Sequence, residues 1–249
     1  MNFFITLNGR RVKQVLMIVV ISFFTALLFY SQSIANTPVF MSKEGPKAIY
    51  KGEKGIALTF NLGWGDVQAA PILDVLEKEG VKEATFFLSG AWAERHPDAV
   101  KKIKDLGYEI GSLGYAYEDY TDMEDPKVRR DITRSLDVFK KLDIKDTKLL
   151  RPPTGHFDKR TLEIANKLGL TVVHWSINSQ DWKNPGVEAI VAETKKAKKG
   201  DIILMHASDS ATQTAKALPL VLSAIGGKGE LTTVSNMITN GKVKTTIVP

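Results

Sequence analysis

Six stretches of the chain are almost continuously apolar: "IALTFN" (56–61), "ATFFLS" (84–89), "YEIGSL" (108–113), "TKLLR" (147–151), "TVVHWSI" (171–177) and "DIILMH" (201–206). They do not alternate with polar residues, so they predict strands covered on both faces, as in a parallel sheet wrapped by helices. Between them apolar residues recur at helical spacing, in "AAPILDVLEKEG" (69–80), "PDAVKKIKDLG" (97–107), "DPKVRRDITRSLDVFKKLD" (125–143), "DKRTLEIANKLG" (158–169) and "VEAIVAETKKA" (187–197). Gly80, Gly107, Gly169 and Gly200 stand where helices should stop, a place for a left-handed cap. Asp98 and Asp158 lie in first turns, where negative charge suits the helix dipole. This alternation of strand and helix predicts an α/β fold, either a (β/α) barrel or a doubly wound sheet.

A different pattern precedes it. "VLMIVVISFFTALLFY" (15–30) has no polar face and follows Arg10, Arg11 and Lys13. A basic cluster ahead of an apolar run predicts a signal peptide or membrane anchor over residues 1–35, with the domain on the extracytoplasmic side. The run falls short of the roughly 20 residues that span a bilayer, although Val12 and Ile34 extend it. Ser33-Ile34-Ala35 offers small residues for cleavage, so a form secreted after cleavage near Ala35 is the alternative to an anchor. Residues 36–54 read as a polar linker and 55–240 as the domain.

Charge and composition narrow the partners. Of the net charge of +6, three positive charges fall in residues 1–36, which hold no acidic side chain, leaving +3 for the rest. That is too mild and too dispersed to expect nucleic acid. The densest run, "KKAKKG" (195–200), suits the negative end of a helix. Cysteine is absent, which excludes disulfides, thiolate metal sites and a cysteine nucleophile.

Ligands of such folds bind at the carboxyl ends of the strands. Five of those ends carry distinctive residues: Asn61-Leu62, Leu113 leading to Tyr117, Arg151-Pro152-Pro153, Asn178 with Asp181-Trp182, and His206. Their convergence predicts one site. Arg151 is either part of that site or a structural ion-pair partner of Asp181. The four tryptophans and Tyr115, Tyr117 and Tyr120 either stack on sugars or pack the core. His96 reads as a surface residue, His174 as buried structure, and His156 as the histidine able to enter the site.

At these residues the chain resembles the NodB-type polysaccharide deacetylases, carbohydrate esterase family four, over about residues 45–240. "WAERHPD", "RPPTG", "NSQDWKNPGV" and "LMHASDS" resemble the sporulation-associated PdaB group most closely. The resemblance implies a distorted, incomplete (β/α) barrel that removes acetyl groups from N-acetylated cell-wall glycan, most plausibly peptidoglycan. It implies His206 as general acid, Asp181 as the carboxylate orienting it, and Arg151 as the buttress of the base. Trp182 and Leu204 match the pocket for the acetyl methyl group, and Pro153 a substrate contact.

The other half of the family's machinery is substituted. The family's base aspartate aligns with Asn61, and its metal ligands, usually for zinc or another divalent ion, align with Leu62, Leu113 and Tyr117. The expectation is therefore a chain with no cofactor, unless Asp66 or His156 rebuilds a site. Three functions follow as alternatives: a glycan N-deacetylase, a catalytically impaired glycan-binding or scaffolding homologue, and a glycosidase using Asp181 with Asp66. The last needs its carboxyl groups about 5–9.5 Å apart.

Overall fold

The computed structural model describes residues 9–35 and 45–249. The chain divides into two units, residues 1–41 and 42–249. The described part of the first is one helix, α1 (Gly9–Ala35). Its 16-residue apolar run rises about 24 Å at about 1.5 Å per residue, short of a roughly 30 Å hydrocarbon core. Among the described residues no helix is long and apolar enough to cross a membrane. Residues 36–44 of the expected linker lie outside the described residues.

The second unit opens inside the rest of that linker. Strand β1 (Ala48–Lys51) pairs antiparallel with β9 (Lys244–Thr246), so the folded body extends beyond 55–240 at both ends. Ala48 and Ile49 are buried, a short apolar pair that flanking polar residues hid in the sequence.

The main sheet is parallel throughout. It contains β2 (Ala57–Leu62), β3 (Thr85–Leu88), β4 (Glu109–Ser112), β5 (Leu149–Leu150), β6 (Thr171–Val172), β7 (Ile177–Asn178) and β8 (Ile202–His206), in the order β6-β5-β4-β3-β2-β8-β7. The run "TVVHWSI" is thus not one strand. Its two ends form the opposite edges of the sheet. From Val172 to Ile177 the chain can span about 17 Å at most. Seven flat strands would separate their edges by about 29 Å. The sheet therefore has to curl into an incomplete barrel, as the resemblance implied.

Helices cover the outside. The expected ones form as α2 (Ala69–Lys78), α4 (Pro97–Asp105), α5 (Asp125–Lys141), α6 (Lys159–Lys167) and α7 (Val187–Thr194). Three further helices, α3 (Gly90–Arg95), α8 (Thr214–Ile225) and α9 (Val234–Thr239), lie outside the runs that the sequence marked as helical. Gly80, Gly107, Gly169 and Gly200 all have positive φ, as their place at helix ends required. The Asp158 side chain caps α6 by accepting from the Thr161 N–H.

Alternation along β2 decides which residues reach the site. Leu58, Phe60 and Leu62 join the apolar cluster with Ile72, Leu76, Leu218 and Val221 of the helices. Phe60, Phe86 and Tyr108 stack in succession there, with centroids 4.9 and 5.5 Å apart. Thr59 and Asn61 point the other way, into the barrel, because successive strand residues face opposite sides. The Phe87 ring lies inside the barrel against Gly111, where a Cβ would come within 2.6 Å of it.

Gly114, at φ 72°, follows β4, and a Cβ there would stand 2.0 Å from Tyr120 Oη and 2.3 Å from Asp131 Oδ2. Gly114→Ala is expected to destabilise the protein by more than the roughly 1–2 kcal/mol of a left-handed backbone alone. Thermal unfolding beside Gly80→Ala, whose added Cβ meets open space, separates the clash from the backbone cost.

Candidate active site

The carboxyl ends of the strands surround a cavity of about 410 Å³ lined by Asn61, Trp64, Tyr117, Thr154, Trp175, Asn178, Trp182, Leu204, His206, Ser208 and Ser210. A larger cleft of about 670 Å³ lies at the amino ends, around Lys54, Glu83 and Lys199. The first is the functional candidate, because the loops after parallel strands are where such folds place ligands.

His206 ends β8 and pairs in register with Asn61 on β2, so both side chains leave the sheet on the same face. His206 Nδ1 donates to Asp181 Oδ1 at 2.7 Å, and the His206 backbone N–H donates to Oδ2 at 2.8 Å. Thr214 Oγ1 and the Trp182 N–H complete four bonds to this carboxylate, at 2.7 and 2.9 Å. Asp181 is fully buried, and its acceptor-only oxygens require the hydrogen of His206 on Nδ1. The residue sits in a short turn between Gln180 and Asn184, both left-handed, the kind of local strain that collects at functional loops.

Arg151 lies beneath Asn61 and is also fully buried. Nη1 donates to Thr59 Oγ1 and Asn61 Oδ1, both at 2.9 Å, Nε to Val173 O at 3.3 Å, and Nη2 to His174 O at 3.2 Å. The guanidinium lies 4.0 Å from the Phe87 ring centroid. It bonds no carboxylate among these partners, so the structural ion pair with Asp181 does not form. Burial pushes its pKa down to about 9, leaving it charged at neutral pH. The same charge, after burial, helps hold His174 down to about 4.

The substituted positions differ in kind. Leu62 and Leu113 are fully buried. Tyr117 alone lines the cavity, with a left-handed backbone (φ 62°) and its ring over Gly63. Burial raises its phenol pKa, and the Arg151 charge partly offsets this. Pro153 is buried, and its neighbour Thr154 takes the place at the cavity wall. Neither candidate for rebuilding a site enters the cavity. Asp66 is exposed and bonds His96 Nε2 at 2.8 Å, and His156 Nδ1 bonds Asp119 at 2.6 Å. The glycosidase pair therefore does not form, because Asp181 is fully engaged and Asp66 faces elsewhere. His96 is more than a surface residue, since its ring also stacks on Trp92 with centroids 4.8 Å apart.

Two carboxylates missed in the sequence hold the cavity mouth. Asp209 accepts from the backbone N–H groups of Asp66, Val67 and Gln68, each at 2.9 Å. Asp131 accepts from the N–H groups of Tyr115 and Ala116 and from Tyr120 Oη, each at 2.8 Å. The first fixes the loop bearing Trp64, and the second the loop bearing Tyr117. Asp209 lay within the quoted "LMHASDS", which was its one available signal. Trp64 and Trp182 remain 48% and 45% exposed beside the cavity, available to stack on a sugar face.

A family model described as polysaccharide deacetylase matches residues 48–173. A peptidoglycan-N-acetylglucosamine deacetylase of Bacillus cereus is 35% identical over 191 residues, covering 75% of this chain and 89% of that one. The chain belongs to the polysaccharide deacetylase family. Among solved structures, a CE4 family pseudoenzyme from Bacillus anthracis superposes with a TM-score of 0.72 at 25% identity, covering 81% of this chain and 72% of that one. A peptidoglycan N-acetylglucosamine deacetylase bound to a hydroxamate superposes at 0.71 and 27% identity, covering 76% and 91%.

Membership corrects one expectation. Polysaccharide deacetylases are normally metal-dependent, and relatives here are deacetylases by name, so absence of a cofactor does not follow from Leu62, Leu113 and Tyr117. Three positions do not exhaust a donor set, because a divalent ion can retain waters and take oxygens from substrate. The residues at those positions nevertheless do not fit an ion: two are buried aliphatics and the third a phenol. Among the described residues, no three His, Cys, Asp or Glu side chains gather to hold one.

Two outcomes test these electrostatics. Asn61→Asp gives the buried Arg151 a counterion and is expected to stabilise the fold at neutral pH by about 1–3 kcal/mol, with Asn61→Ala destabilising, both by thermal unfolding. Burial raises the Asp119 pKa, but hydrogen bonds from Thr121, His156 and Thr154 outweigh it and hold the carboxyl to about 2. Its stabilisation is present above the ordinary carboxyl value of 3.8 and is lost as pH falls toward 2. Asp119→Asn should therefore melt lower than the parent near neutrality, and the two curves should converge below that window.

Proposed function

We propose that this protein binds N-acetylated peptidoglycan glycan at the carboxyl-end cavity and hydrolyses it far more slowly than its deacetylase relatives. The observation that carries this reading is Asn61 bonded to Arg151 at the base position. A general base needs proton affinity near the working pH, and a primary amide has none. General-base assistance is typically worth about 10²–10⁴-fold. The opposite half is retained: His206 on Asp181 can protonate a departing amine. Exposed Trp64 and Trp182 beside the cavity support a sugar ligand.

A second reading is an active peptidoglycan deacetylase in which His206 serves in turn as base and acid. The intact His206–Asp181 pair and the names of relatives favour it. In either reading, the basic and apolar segment before the domain supports an extracytoplasmic setting, by anchoring or by release near Ala35. The motif resemblance supports a role in sporulation.

Acetate release from N-acetylated glycan separates the two. The parent is expected to release little, and Asn61→Asp alone little more. Adding Leu62→Asp, Leu113→His and Tyr117→His to it supplies the family's donor types and is expected to raise turnover. A parent as fast as the Bacillus cereus deacetylase assayed alongside, and unchanged by Asn61→Ala, would refute the slow reading.

A further inference from the structure

Arginine only donates hydrogen bonds. The Asn61 atom 2.9 Å from Arg151 Nη1 must therefore be the oxygen, which fixes the orientation of the amide. Nδ2 is turned the other way. It makes no hydrogen bond to any described residue, and Asn61, only 3% exposed, lines the cavity. The cavity is thus where its two N–H groups find a partner. Beside it, the Asp181 carboxylate takes the hydrogen on His206 Nδ1, so the neutral ring presents Nε2 as an acceptor. The two residues are register partners on adjacent strands. A donor next to an acceptor is the complement of a secondary amide, which accepts at its carbonyl and donates at its N–H. Leu204 adds an apolar wall to the same cavity, suited to a methyl group.

We propose that Asn61 is the residue that selects acetamido groups, its Nδ2 donating to the acetyl carbonyl while His206 Nε2 accepts from the acetamido N–H. This rests on the glycan-binding reading above and goes beyond it. Substitution of a carboxylate by an amide changes an acceptor-only, anionic position into one that presents a donor. The protein then discriminates N-acetylated sugar from its deacetylated counterpart, whose amine has no carbonyl to accept from Nδ2 and no methyl group to face Leu204. An aspartate at position 61 reverses that preference, because a carboxylate only accepts: it takes an amine N–H and repels the acetyl carbonyl.

Calorimetric titration of the full chain with tetramers of N-acetylglucosamine and of glucosamine reads the discrimination directly. The parent is expected to bind the acetylated tetramer about tenfold more tightly or better, and Asn61→Asp to lower that ratio by about tenfold. Asn61→Ala should fall between them. An unchanged ratio in both variants, with the parent still binding acetylated glycan, overturns the selection by Asn61 and leaves the glycan reading intact. A parent that binds neither tetramer overturns both.

Discussion

A buried guanidinium without a carboxylate partner organises this domain. Arg151, at the end of β5, donates to Thr59 and Asn61 on β2 and to the backbone carbonyls of Val173 and His174. Those carbonyls belong to the segment that joins the two edges of the sheet. One side chain therefore links a central strand to the stretch that nearly closes the barrel. A charge in that place is tolerable only if its donors are met, and neutral oxygens with the face of Phe87 meet them. Removing any one of these acceptors leaves part of a buried cation unsatisfied.

The mouth of the cavity is built on the opposite sign. Asp181, Asp131 and Asp209 each accept several hydrogen bonds, mostly from backbone N–H groups of the loops they hold. Such charge-assisted bonds are stronger than neutral ones, so irregular loops acquire defined positions. His206 inherits its orientation from Asp181, Tyr117 from the loop on Asp131, and Trp64 from the loop on Asp209. The site is thereby preorganised, although its residues come from distant parts of the chain. Trp92 adds to this by donating its indole N–H to Gly65 O at 2.7 Å.

Within that frame the chemistry is uneven. The pair that can give a proton is complete and rigid, while the position that should take one holds an amide. Leu62 shows that this is more than an exchange of neighbouring polar groups, since its side chain is committed to the apolar cluster under the helices. Binding and hydrolysis draw on different parts of this arrangement. Recognition needs the tryptophans, the donor–acceptor pair and a shaped cavity, whereas turnover also needs an activated water.

The α/β class was legible along the chain, because strand and helix periodicities survive wherever burial is two-sided or one-sided, as "IALTFN" and "PDAVKKIKDLG" show. The sequence also brought Asn61, Asn178, Asp181, Trp182 and His206 to one face, because strand ends in a parallel sheet converge, and the family resemblance added Leu204. The rest came from the fold. It split "TVVHWSI" between two sheet edges, since local composition cannot say which neighbours a strand finds. It buried Pro153 and turned Thr154 to the cavity, tied Asp66 to His96 and His156 to Asp119, and gave Arg151 four neutral acceptors instead of Asp181. Each outcome depends on which groups from distant segments lie within hydrogen-bond reach. That distance is set by the curl of the sheet, and no single segment of the sequence carries it.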